Sequence, residues 1–155
     1  MTKLINISEA TSIAIHSLAL IANSKETVNV NHLSDVLGFS KNHMAKVLQV
    51  LVRFNYLDSN RGPHGGFRLK VDPEKINLLS ILELLEGELE LDHCNHKKED
   101  CPFESCVYGD IRTNLMLQFR EYFGNKTLKE ITLKNKYKFR LQIYSLFELV
   151  YHHAE

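Results

Sequence analysis

Three cysteines, Cys94, Cys101 and Cys106, fall within 13 consecutive residues of a 155-residue chain and are its only cysteines. An odd, tightly spaced set is a poor disulfide framework, because pairing would strand one thiol. Soft thiolates at this density suit zinc or an iron-sulfur cluster, and three ligands on one loop can converge without a rigid scaffold. Six carboxylates between residues 88 and 106 face only Lys97 and Lys98. Free thiolates are disfavoured in such a segment unless a cation or cluster neutralises them. The spacing lacks the Cys-x-x-Cys knuckles of a zinc finger, although His93 or His96 would complete a Cys3His zinc site. Spacing alone leaves three readings open: a cluster, zinc, or three ordinary thiols in a polar loop.

A second chemistry is written in charge. The whole chain balances 19 Lys/Arg against 19 Asp/Glu, but residues 40–70 carry Lys41, Lys46, Arg53, Arg61, Arg68 and Lys70 against Asp58 alone. A local excess of this kind can meet phosphates, and its bland alternative is a solvated surface. Residues 73–106 are acidic by contrast, with nine carboxylates against three lysines.

The elements that must position these groups follow from hydrophobic spacing. Residues 8–22 predict a helix capped by Ser8, with Ala10, Ile13, Ala14, Leu18 and Ile21 at helical intervals. Residues 31–38 predict a short second helix ended by Gly38. Ser40 is placed to cap a third, in which Met44, Val47, Leu48, Leu51 and Val52 share one face and Lys41, Asn42, His43, Lys46, Gln49 and Arg53 lie elsewhere. Tyr56–Ser59 and Phe67–Val71 predict two strands around a glycine-rich turn. Helix, tight turn, helix and basic hairpin is an arrangement in which the second helix reaches base edges in a major groove. Arg61 and His64 at the hairpin tip would lie over the sugar-phosphate backbone or enter a minor groove, where Gly62, Gly65 and Gly66 let main chain approach closely.

Residues 77–87 predict a core helix, and residues 107–123 another, with Ile111, Leu115, Phe119 and Tyr122 along one side and Met116 and Phe123 widening it. That stripe is broader than a three-helix unit requires and suits a partner subunit. Gly124 and Asn125 are expected to break it, Thr127 to cap LKEITL, and residues 136–153 to form a last apolar-faced helix. The fold expected is mainly α with a small β-hairpin wing: a winged helix-turn-helix over 1–87, a cysteine loop over 88–106, and a long dimerisation helix with a C-terminal extension over 107–155. No run approaches the ~18 apolar residues of a membrane span, and the N-terminus lacks a signal-peptide pattern, so a soluble cytoplasmic protein is expected. No nucleophile–base pair or nucleotide loop supports catalysis, and a small iron-sulfur electron carrier would need four cysteines per cluster.

The stretches SEATSIAIHSLALIA, LSDVLGFSKNHMAKVLQVLVRFNYL, SNRGPHGGFRL and LKEITL, with three cysteines after a helix ending in EG, together resemble the IscR/NsrR family of bacterial winged helix-turn-helix regulators over residues 3–133. The resemblance implies a homodimer on a roughly palindromic double-stranded operator. Many members hold an iron-sulfur cluster, of two or four irons, on the three cysteines and change DNA affinity when it is lost, oxidised or nitrosylated; some relatives lack the cysteines. Carried over by position, Cys94, Cys101 and Cys106 are the thiolate ligands, Ser40, Lys41, Asn42, His43 and Lys46 lie on the recognition helix, and Arg61–Gly66 form the wing. The fourth ligand departs from the pattern. Gly109 and Ser12 stand where relatives place a histidine or an aspartate, and His16 matches a histidine that a redox-sensing relative carries on its first helix. Glu9, His93 and His96 are the fallbacks.

Overall fold

In the computed structural model, which describes residues 7–62, 65–89 and 101–131, the chain begins with α1 (Glu9–Ala22). Cys94, His64, His93, His96 and the helix expected over 136–153 lie outside the described residues. Ser8 caps α1 as expected, its side chain accepting from the Thr11 N–H. Apolar residues surround most of this helix, and Ile13, Ala14, Leu18, Leu20 and Ile21 are buried, so it forms the axis of the core. α2 (Val30–Leu37) starts one residue earlier than expected, capped by Asn29, whose side chain accepts from the His32 N–H at 2.9 Å. Gly38 ends it at φ +76°, the left-handed conformation in which a side chain is strained.

α3 (Lys41–Arg53) buries Met44, Val47, Leu48 and Leu51 against α1 and α2. Each such fully buried aliphatic side chain contributes about 1.5–3 kcal/mol relative to exposure. The third helix is therefore held by its apolar stripe and not by its cap, for Ser40 makes no side-chain capping bond, contrary to expectation. Its carbonyl instead accepts the Met44 N–H at 2.8 Å.

The hairpin pairs β1 (Leu57–Asn60) with β2 (Gly66–Leu69) antiparallel, Leu57 opposite Leu69 and Asn60 opposite Gly66. Both strands sit one residue off the expected bounds at their inner ends. The left-handed Asn55 (φ 64°) turns the chain out of α3, and Val28 adds a bridge to Phe67, so that Gly66 is drawn into the ladder.

After a 3-10 turn at Pro73–Lys75, α4 (Leu78–Glu86) buries Leu78, Ile81 and Leu82, with Leu85 partly buried against the core. α5 (Ile111–Asn125) corrects two expectations. It begins at Ile111, because residues 107–110 form a turn with Gly109 at φ +55°. It also runs through Gly124 and Asn125 instead of breaking there. A glycine inside a helix costs only about 1 kcal/mol relative to alanine, less than packing against α4 returns.

Thr127 caps LKEITL as expected, but the element is a single 3-10 turn, Leu128–Glu130, in which the Thr127 N–H and hydroxyl both donate to the Glu130 carboxylate. That carboxyl is held below its ordinary range by these hydrogen bonds and by Lys126. The turn returns to the core: Leu128 is fully buried and its N–H donates to the Ile76 carbonyl at 2.8 Å. An ion pair between Lys129 and Glu74 closes the same seam. No helix among the described residues is long and apolar enough to cross a membrane.

Candidate nucleic-acid interface and thiol segment

The core stripe of α3 turns its opposite side outward. Lys41, Asn42 and Lys46 are exposed on the first turns, followed by Gln49 and Arg53. Ser40 is exposed as well, its hydroxyl unused by capping. His43 differs from its neighbours. It is half-buried, and its Nδ1 lies 3.0 Å from Oε2 of Glu9 in the first turn of α1.

Arg61 and Arg68 are exposed on the hairpin. The one acid of this region, Asp58, is taken by Lys70, whose Nζ lies 3.7 Å from its Oδ1 and 2.9 Å from Oδ1 of Asn55. Lys70 thus serves the root of the hairpin, while Lys41, Lys46, Arg53, Arg61 and Arg68 pair with no acid among the described residues. Five uncommitted cations on one helix and hairpin form a positive face able to displace counterions from a phosphate backbone.

The hairpin glycines have structural duties. The Gly65 N–H donates to the Gly62 carbonyl at 2.9 Å, and Gly62 holds φ +114°. A Cβ on Gly66 would stand 2.8 Å from the main-chain carbon and oxygen of Val28, so the close main-chain approach at this position is made within the chain.

At the other end of α1, Oε1 of Glu86 accepts both the Ser8 N–H (2.9 Å) and the Thr11 hydroxyl (2.6 Å). Partial burial acts to raise the Glu86 carboxyl, but the hydrogen bonds from Ser8 and Thr11 prevail and hold it below the ordinary carboxylate range. The end of α4 is thereby tied to the beginning of α1. Arg120 of α5 ties it to the other side, its guanidinium 3.2 Å from Oε1 of Glu83 and donating to the Leu89 carbonyl at 3.0 Å.

Cys101 is half-buried and Cys106 exposed, both as free thiols in the segment leading into α5. His16 is exposed on α1, with Nδ1 2.7 Å from the Ser12 carbonyl and its ring edge-on to Phe39 at 6.1 Å. A carbonyl only accepts, so Nδ1 donates, and in the neutral ring Nε2 then holds the lone pair through which an imidazole ligates a metal. With Cys94 outside the described residues, no three His, Cys, Asp or Glu side chains converge as a metal site among those described. Glu9, a fallback ligand, is engaged with His43. That engagement joins residues 34 positions apart, and sequence periodicity carries no signal for it; the same holds for the clasp of Glu86 on Ser8 and Thr11.

Along α5 and the segment before it, Phe103, Val107, Tyr108, Ile111, Leu115, Leu117 and Tyr122 are exposed. Of the expected stripe, Met116, Phe119 and Phe123 are half-buried, and Phe119 stacks on Phe123 with centroids 4.4 Å apart.

A helix-turn-helix braced on a central helix, with a basic hairpin beside it, defines a winged-helix DNA-binding head. Residues 7–134 match the Rrf2 family, described as iron-dependent transcriptional regulators, and the chain belongs to that family. It is 30% identical over 113 residues to the HTH-type transcriptional regulator NsrR of Bacillus licheniformis, covering 72% of this chain and 79% of that one. In fold it is similar to CymR, the global cysteine regulator of B. subtilis (TM-score 0.64, 18% identity, 81% of this chain and 95% of that one). IscR of T. potens has the same fold (TM-score 0.63, 18% identity, 86% and 97%). The protein is a DNA-binding transcriptional regulator and not an enzyme, which removes the electron-carrier alternative.

Proposed function

We propose that this regulator binds a roughly palindromic operator as a homodimer in the cytoplasm, and that an iron-sulfur cluster on Cys94, Cys101 and Cys106, with His16 as fourth ligand, controls its affinity. The observation that carries the reading is the uncommitted positive face of α3 and the hairpin in a chain whose free thiols lie at the root of α5. The donor chemistry fits the group: Cys101 and Cys106 are unpaired thiols, and His16 keeps Nε2 available. A bound cluster supplies a centre that reacts with oxidants or nitric oxide.

In this reading residues 1–87 form the DNA-reading domain, residues 88–106 the sensing loop, and residues 107–155 the dimerisation region. Two α3 helices related by a two-fold axis enter successive major grooves about 34–36 Å apart. Asn42 and His43 face base edges, Lys41, Lys46 and Arg61 anchor phosphates with help from the Ser40 hydroxyl, and Gly62, His64, Gly65 and Gly66 shape the wing along the backbone. The apolar side of α5 supplies the dimer contact, and its Arg120 grips the end of α4, which in turn grips α1. The loop and the reading head are thereby joined by a few polar contacts whose balance a coupling of about 1–3 kcal/mol would shift.

A second reading on the same residues, zinc binding or direct thiol oxidation, is supported by the exposure of Cys106. The discriminating experiment is visible absorption with iron and sulfide analysis of protein purified without oxygen. A cluster predicts colour lost in Cys101→Ala; equal spectra for the two proteins exclude it.

A further inference from the structure

The contact between Glu9 and His43 lies where the DNA-reading helix begins, and it has a chemical direction. A carboxylate only accepts hydrogen bonds, so at 3.0 Å the Nδ1 of His43 must carry the proton it donates to Oε2 of Glu9. In the neutral ring this leaves Nε2, on the opposite edge, as an acceptor that no described residue claims. The carboxylate is itself held in place. Glu9 belongs to the first turn of α1, whose conformation is fixed by the Ser8 cap on the Thr11 N–H and by Oε1 of Glu86, which takes both the Ser8 N–H and the Thr11 hydroxyl.

An acid at the edge of a positive face is unfavourable for phosphate binding as such, since it repels the backbone that the neighbouring lysines attract. Its placement makes sense as a gain in selectivity at the expense of general affinity. We propose that Glu9 is a positioning residue for base reading: by fixing Nδ1–H of His43 it presents Nε2 as an acceptor for the exocyclic amino group of adenine or cytosine in the major groove. The inference rests on α3 being the recognition helix. Glu9 touches no base; it acts through the ring it holds.

The test uses the full chain and a randomised double-stranded oligonucleotide library at pH 8. The selected sequences of wild type, Glu9→Gln, His43→Ala and the double variant are compared, with affinities for one selected duplex and one unrelated duplex. Glutamine keeps the size of the side chain but can donate as well as accept, so the tautomer is no longer imposed. Glu9→Gln is expected to lose discrimination of about 5-fold at one base pair per half-site, while binding the unrelated duplex as well as wild type or better. His43→Ala should lose the same base pair, and the double variant should match His43→Ala alone. A merely structural role would weaken both duplexes together.

The inference is overturned if Glu9→Gln selects the wild-type motif unchanged, if both duplexes weaken alike, or if the two substitutions affect different base pairs. A wild-type chain that selects no motif overturns the DNA-reading assignment along with it. A motif insensitive to Glu9 overturns this inference alone.

Discussion

Replacing Gly66 by alanine tests the packing that carries the wing. The added Cβ would stand 2.8 Å from the carbon and oxygen of Val28 and 3.1 Å from the Asn29 nitrogen, all main-chain atoms. Val28 is itself buried and bonded to Phe67 by two 2.9 Å hydrogen bonds, and Asn29 caps α2, so neither yields without breaking something. Losing the two hydrogen bonds costs about 1 kcal/mol each, and overpacking a closed site typically costs about 1–3 kcal/mol. Because part of the strain is relieved when the bonds break, the expected loss is about 2–4 kcal/mol, a fall in Tm of roughly 5–15 °C for a domain of this size.

Gly124→Ala is the internal control. Its Cβ would meet only Leu79 Cδ2 at 3.6 Å, an ordinary contact inside α5, so the helical preference of alanine should stabilise by about 0.5–1 kcal/mol. Thermal and urea unfolding followed by far-ultraviolet circular dichroism reads both variants. Gly66→Ala within about 0.5 kcal/mol of wild type, a shift ordinary for surface positions, or Gly124→Ala as damaging as Gly66→Ala, would refute the steric argument.

Lys41→Ala and Arg61→Ala should each weaken binding of a selected duplex on all sequences alike and reduce the slope of log K against log salt by about 0.9 per lost phosphate contact, hence about 1.8 for a dimer; unchanged slopes would exclude phosphate contacts at these positions. Glu86→Gln keeps a carbonyl to accept from Ser8 and Thr11 but removes the charge. Because the folded carboxyl titrates below its ordinary value of 4.5, its stabilising contribution is present above that value and lost as pH falls through the lowered one. Urea midpoints of wild type and Glu86→Gln should therefore differ at neutral pH and converge below pH 4.5; a gap independent of pH contradicts the assignment. Ile111→Glu with Leu115→Glu on the exposed side of α5 should convert a dimer to monomers by analytical ultracentrifugation, whereas an unchanged sedimentation coefficient would place the dimer contact elsewhere.

The reading head was legible because its signals are local. Ser8, Gly38 and the Met44–Leu51 stripe act within a turn or two of chain, and all three perform as their types require. Ser40 has the right type and place for a cap and makes no capping bond, since burial of the stripe already fixes the start of α3. The differences at α5 have two origins: the turn at residues 107–110 with left-handed Gly109 delays its start, and at its end packing of Phe123 and Gly124 against the core and α4 overrides the helix-breaking preference of Gly124 and Asn125. The long-range contacts, Glu86 with Ser8 and Thr11 within the head and Arg120 of α5 with Glu83 and Leu89, span 31 to 78 residues. Pattern within a window carries no trace of them. Gly66, expected at the DNA-facing tip of the hairpin, makes its close main-chain approach inside the chain, to Val28, a contact that local pattern does not signal.

Control of the DNA-reading head by the cysteines is read from operator affinity at fixed salt. Protein purified without oxygen is titrated against a selected duplex before and after treatment with nitric oxide, alongside Cys101→Ala. A change of at least about 5-fold on treatment, absent in Cys101→Ala, is the expected result and corresponds to the lower end of ordinary coupling between sites. Equal affinity for treated and untreated wild-type protein would contradict control of DNA binding by the thiol segment.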